Sequence, residues 1–150
     1  MKLLELLSEN CTLCAVQATS KKRILEVICD SASSQLEDFS TYELLTSLMT
    51  REKVGSTGIG NGIAIPHGRL NDSDKALAII ATTEQPIEFD AIDNKPVDIF
   101  IALFVPEQQC QAHLATLQDI AKLFTDKVLC KKIRKCTSTV EMFELIKQAS

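Results

Sequence analysis

From Ser20 onward the apolar residues recur at helical spacing, with Ile24, Leu25, Ile28 and Cys29 forming one stripe that carries through about Gln35. The serine ahead of the stripe has the side-chain oxygen that caps a helix start. A second helix opens on Ser40-Thr41-Tyr42-Glu43, a capping box in which the serine hydroxyl and the glutamate carboxylate each satisfy an orphan amide. Its pattern predicts Tyr42, Leu45, Leu48 and Met49 inward and an end near Arg51 to Lys53. Farther on the period shortens. Ala76 to Thr83 is apolar and β-prone, Pro86-Ile87-Glu88-Phe89 alternates, and Val97 to Val105 is apolar at eight of nine positions before Pro106. A strand so uniformly apolar is expected to be buried on both faces, under helices. Residues 109–125 return to helical spacing with Leu114, Leu117, Ala121 and Phe124 inward, and two shorter helices are expected over 127–135 and 139–148. Helices at both ends and strands between them predict an α/β fold: a mixed β-sheet flanked by helices on both faces.

Length and composition fit one domain over residues 1–150. The chain is 45% hydrophobic and 24% charged, and it is long enough to bury a core without a metal or a disulfide. Sixteen Lys and Arg against twenty Asp and Glu give a net charge of −4, the wrong sign for holding nucleic-acid backbones. No apolar run reaches the roughly 18 to 20 residues that span a bilayer. Acids interrupt what would be the apolar part of a signal peptide in Met1-Lys2-Leu3-Leu4-Glu5-Leu6-Leu7-Ser8-Glu9. A cytoplasmic protein is expected, with no membrane insertion. Of the six cysteines, Cys11 and Cys14 make one C-x-x-C pair, but Cys29, Cys110, Cys130 and Cys136 make no second pair at metal-ligand spacing. Reduced thiols in and around the core, with no metal, are the expectation.

All five glycines lie between Gly55 and Gly68, in the run Gly55-Ser56-Thr57-Gly58-Ile59-Gly60-Asn61-Gly62-Ile63-Ala64-Ile65-Pro66-His67-Gly68-Arg69. Glycine is concentrated where backbone must take unusual dihedrals or come close to another group. Nucleotide templates fail here: Gly60 is followed by Asn61 rather than Lys, Ile63 stands where a dinucleotide fingerprint needs its third glycine, and Ile63-Ala64-Ile65-Pro66 reads as strand rather than helix. What remains is a loop that runs into a short strand and presents His67 between a proline that fixes the backbone and a glycine that leaves open space. Imidazole is a neutral nucleophile that also leaves readily, which suits it to carrying a phosphoryl group; a packing or surface role is the alternative. His113 shares a helical face with Leu117, Ile120 and Phe124, as a core histidine or as a second wall of a phosphate site.

The run from Gly55 to His67, with Arg51-Glu52 just upstream, resembles the active-site signature of the mannitol/fructose-type enzyme IIA domains of the bacterial phosphotransferase system. The stand-alone nitrogen-regulatory branch is the nearest in pattern. Pro86 to Asp93, Pro96-Val97-Asp98-Ile99-Phe100 and His113-Leu114 with Leu117 and Ile120-Ala121 extend the likeness over nearly the whole chain. The resemblance implies a protein-to-protein phosphotransferase without cofactor, in which His67 takes a phosphoryl group from an HPr-like carrier and Arg51 and His113 line the site. Thr57, Gly58 and Gly60 are expected as further phosphoryl contacts. It also implies regulatory targets such as sensor kinases or potassium transporters. The alternative is sugar uptake, with the phosphoryl group passed to an enzyme IIB; no IIB or membrane segment is joined to the chain, which favours the regulator.

Overall fold

Residues 3–71 and 73–150 are described by the structure, a computed structural model. Met1 and Lys2, the first two residues of the stretch read for a targeting signal, lie outside the described residues. In chain order the elements are α1 (Leu3–Leu6), β1 (Thr12–Val16), α2 (Lys21–Ser33), α3 (Thr41–Glu52), β2 (Gly58–Gly60), β3 (Ile63–Ala64), β4 (His67–Leu70), β5 (Leu77–Ile87), β6 (Val97–Pro106), α4 (Leu114–Leu123), α5 (Lys127–Arg134) and α6 (Thr139–Ala149). Both expected caps are present. Ser20 Oγ accepts from the Arg23 amide, and Ser40 and Glu43 close the reciprocal box with two bonds of 3.1 Å.

One mixed sheet runs β1-β5-β6-β3-β2, with β4 also on β6. The central pair β5 and β6 is antiparallel, and β6 is buried at nine of its ten positions, so both of its faces are covered, as its unbroken apolar run implies. Helices α2 and α3 pack on β5 and β4, α5 packs on β6 and α6 on β1. Phe89 meets Phe100 edge to face at 5.3 Å between ring centroids.

The sequence pattern misplaces three features. The segment around Cys11 and Cys14, which shows no strand period, holds β1: Ala15 sits at φ 49°, its amide turns to Thr82 Oγ1, and the register with β5 shifts between Leu13 and Val16. The bulge destroys the alternation that would have revealed a strand. On α3 the buried line is Leu44, Leu48 and Glu52, so Tyr42, expected inside, stands 77% exposed while Leu45 and Met49 are only half-buried. On α4 the buried line is Thr116 and Ile120, continued by His113 and Phe124 at its ends, and Leu114 is 51% exposed at the first turn. The cysteines are free thiols, four of them buried.

β3 and β4 are one strand interrupted at Ile65-Pro66. Ile63 pairs with Ile99 and His67 with Leu103, the same offset of 36 positions on either side of the break, and the Pro66 carbonyl accepts from the Leu103 amide at 2.9 Å. Proline has no amide to donate, yet its carbonyl keeps the ladder in step. The hairpin partner β2 covers only the first half. Among the described residues no strand lies outside β4, and there α3 takes over as the neighbour. The space beside Gly68 is therefore filled rather than open: a Cβ there would fall on Ser47 Oγ and stand 3.1 Å from the Ser47 carbonyl carbon. Gly68→Ala should cost about 1–3 kcal/mol, the usual range for overpacking, measured by urea unfolding. Ser47→Gly in the same chain should recover only part of the loss, because the backbone contact remains.

Candidate functional site

His67 opens β4 and is half-buried. Its Nδ1 lies 2.9 Å from the Ile65 carbonyl, an acceptor that assigns the ring proton to Nδ1 and leaves the Nε2 lone pair as the available nucleophile. Ile65 and Pro66 are the residues at which the strand is interrupted, so the same break that ends β3 supplies the carbonyl that sets the tautomer. Burial pushes the His67 pKa below the ordinary histidine value; the bond to Ile65 works against this, Arg51 adds to it, Glu52 opposes it and Arg69 adds to it. The ring is thus held neutral near pH 7, the nucleophilic form.

A cleft of about 690 Å³ opens beside this ring, and its walls bring together His67 from β4, Arg51 from the last turn of α3 and His113 from the residue before α4. The fold thus collects in one place three residues separated by 16 and 46 positions in sequence. Arg51 Nη1 donates to the Gly55 carbonyl at 2.8 Å, across the turn that leaves the helix. His113 is 4% exposed, with Nδ1 3.5 Å from Thr116 Oγ1, and burial lowers its pKa too. Arg69, which the sequence analysis passed over, also lines the cleft. Its signal was available: it lies two residues beyond His67 on one strand, and alternate strand residues share a face. Val54 and Leu114 stand on the cleft wall as large exposed apolar side chains, and Phe39, Leu70 and Val105 also line it.

Thr57, Gly58 and Gly60 are not among the residues that line the cleft. Thr57 is 5% exposed and donates both its hydroxyl and its amide to the Glu52 carboxylate. A Cβ on Gly58 would meet Ala91 Cβ at 2.7 Å, and Gly60, at φ 99°, lies against Asp93. Gly58 and Gly60 let the loop pack closely on Ala91 and Asp93 while Thr57 ties it to Glu52, and the expectation that they contact a phosphoryl group finds no support in their placement. Sequence reasoning also missed how the loop is tied down. The Glu52 carboxylate is inside, 2.9 Å from Lys21 Nζ; that ammonium also lies 4.3 Å from the Phe89 ring centroid, and Ser56 Oγ donates to the Phe89 carbonyl at 2.6 Å. A glutamate at the last position of an otherwise apolar stripe, Leu44, Leu48 and Glu52, was the signal that could have found it. Among the described residues no group of three or more His, Cys, Asp or Glu could hold a metal ion, and no helix is long and apolar enough to cross a membrane.

Comparison with known proteins shows the family and the fold. Residues 5–149 match the family described as phosphoenolpyruvate-dependent sugar phosphotransferase system, EIIA 2. The nitrogen regulatory protein of Klebsiella oxytoca is 46% identical over 150 residues, covering 99% of this chain and 92% of that one. The crystal structure of nitrogen regulatory protein IIA-Ntr from Neisseria meningitidis superposes with a TM-score of 0.89 at 32% identity, covering 95% and 97% of the two chains. The crystal structure of IIA mannitol from Escherichia coli shares the fold at a TM-score of 0.78 and 17% identity, covering 93% and 98%. Matched over residues 5–149 by the family and 46% identical to a nitrogen regulatory protein over 99% of this chain, the protein belongs to the EIIA 2 family of the phosphoenolpyruvate-dependent sugar phosphotransferase system.

Proposed function

We propose that His67 accepts a phosphoryl group on Nε2 from the phosphohistidine of an HPr-like carrier, in the cytoplasm, and that its phosphorylation state governs binding to nitrogen- and potassium-related regulatory targets. The observation that carries this reading is the 2.9 Å contact of Nδ1 with the Ile65 carbonyl, which leaves Nε2 of a neutral ring to a cleft shared with Arg51 and His113. The Nε2 lone pair attacks phosphorus as the donor's P–N bond breaks, and the donor ring departs with that electron pair as neutral imidazole. The His67 ring then carries the positive charge, with its Nδ1–H still donated to Ile65. Phosphoryl transfer needs positioning and neutralisation of the three equatorial oxygens. The Arg51 guanidinium and a His113 N–H are suited to that task.

The regulatory reading is supported by the likeness to proteins called nitrogen regulatory protein. Passing the phosphoryl group to an enzyme IIB for sugar uptake is the reading a single-sugar phenotype would favour. In a deletion strain, His67→Ala should leave sugar uptake intact and disturb nitrogen and potassium responses; loss of uptake of one sugar with no regulatory change would reverse the choice. Transfer from phosphorylated HPr-type carrier should proceed in chelator and yield an acid-labile, alkali-stable phosphoprotein.

Arg51→Lys should slow transfer roughly 10- to 100-fold, the loss expected when a planar two-pronged donor becomes a point charge. Folding stability should change by less than about 1 kcal/mol, since the guanidinium stands at a helix end. Both imidazoles should titrate below the ordinary value of about 6.5 when followed by NMR. Because the folded values are depressed, the neutral, accepting form dominates above that value. Transfer should therefore be level from about pH 7 to 8 and fall only at lower pH, where the lone pair is protonated. The stability contributed by keeping these rings neutral should likewise be complete above about pH 6.5 and decline as acid is added.

A further inference from the structure

We propose that Glu52 is a positioning residue for the transfer reaction: its buried carboxylate fixes the turn that leaves α3 and so holds the Arg51 guanidinium where the phosphoryl group on His67 will be. The inference rests on the reading of the cleft given above and extends it to a residue outside the cleft.

Arg51 and Glu52 are adjacent, yet one lines the cleft and the other is 8% exposed. Both grip the same short turn. Arg51 Nη1 donates to the Gly55 carbonyl at 2.8 Å, and two residues on, the Thr57 amide and hydroxyl donate to Glu52. The turn is thereby closed from the solvent side by a cation and from the core side by an anion. Lys21 at the start of α2 completes the set, 2.9 Å from the second carboxylate oxygen and over the Phe89 ring. Burying a carboxylate that deep is costly unless it is paired and hydrogen-bonded, and losing one partner leaves the others with a buried polar group to satisfy. The turn will therefore rearrange when Glu52 is neutralised, and the Gly55 carbonyl that anchors Arg51 moves with it. The charged groups acting on the His67 ring are Arg51, Glu52 and Arg69, so a change at Glu52 is also readable at His67.

The test compares Glu52→Gln, Glu52→Asp and Thr57→Val with Arg51→Lys and His67→Ala in the full chain. Single-turnover transfer from phosphorylated HPr-type carrier is measured beside NMR titration of His67 in the unphosphorylated protein. Glu52→Gln should slow the transfer step about tenfold or more while half-saturation by the carrier stays within about twofold, the signature of an interaction used in the transition state rather than in docking. Its His67 midpoint should fall, because a carboxylate that favours imidazolium is gone. Glu52→Asp keeps the charge on a shorter stem, so it should restore the midpoint but recover less than half of the lost rate. Full recovery by Asp would show that charge alone matters and would overturn positioning. Thr57→Val retains Glu52 and its lysine and deletes one hydroxyl donor; a several-fold slowing with a native thermal transition carries the proposal even where Glu52→Gln does not fold. Transfer by the Gln and Val variants within about twofold of the parent, with Arg51→Lys impaired, would overturn the role of Glu52 and leave the proposed function standing. Normal transfer by His67→Ala and Arg51→Lys would instead overturn the cleft reading itself.

Discussion

The closeness of α3 to β4 is the constraint on which the site depends. Beyond Pro66 the sheet has no further strand on that side among the described residues, and a helix lies against the backbone where a strand would otherwise be. Only a residue without a side chain allows that approach, and Gly68 is placed opposite Ser47. Arg51 is one helical turn beyond Ser47 on the same helix and His67 is the residue before Gly68, so the contact that packs helix on strand also brings guanidinium and imidazole to one cleft. Packing and chemistry are set by the same pair of residues.

A second constraint is electrostatic and lies behind the cleft. The Lys21-Glu52 pair, capped by Thr57 and seated on Phe89, joins the start of α2, the end of α3 and the glycine loop. Replacing such a pair by apolar residues often costs little stability, so its presence at this place is better explained by the geometry it holds than by any energy it adds. The cleft side has the opposite balance. Arg51 and Arg69 stand near two histidines whose pKa values are driven down, first by burial. Under the proposed function, a neutral imidazole among cations suits a site that receives a dianionic group and then releases it.

The fold persists between this chain and IIA mannitol at 17% identity, which follows from where its determinants lie. The apolar run of β6 and the in-step pairing of β3 and β4 on it define the sheet by pattern, and pattern survives wide substitution.

Local chemistry was legible in the sequence wherever a few neighbouring residues decide the outcome. The caps at Ser20 and Ser40, the doubly covered strand at Val97 to Val105 and the glycine-rich delivery of His67 all depend on contacts within a few positions or on the side-chain period. Resemblance to a family added Arg51 and favoured the site role of His113, which helical spacing alone had left open beside a core role. β1 was hidden because a bulge at Ala15 breaks the two-residue period, and Tyr42 was misplaced because the buried line of α3 is set by what the helix packs against, one position away from the line the sequence favours. The roles of Thr57 and Gly68 were decided only in three dimensions. A hydroxyl in a glycine loop suits a phosphate as well as a carboxylate, and a glycine leaves room for a ligand or for a helix; which one fills the space depends on Glu52 and Ser47, and those meet their partners only when α3 has docked on the sheet.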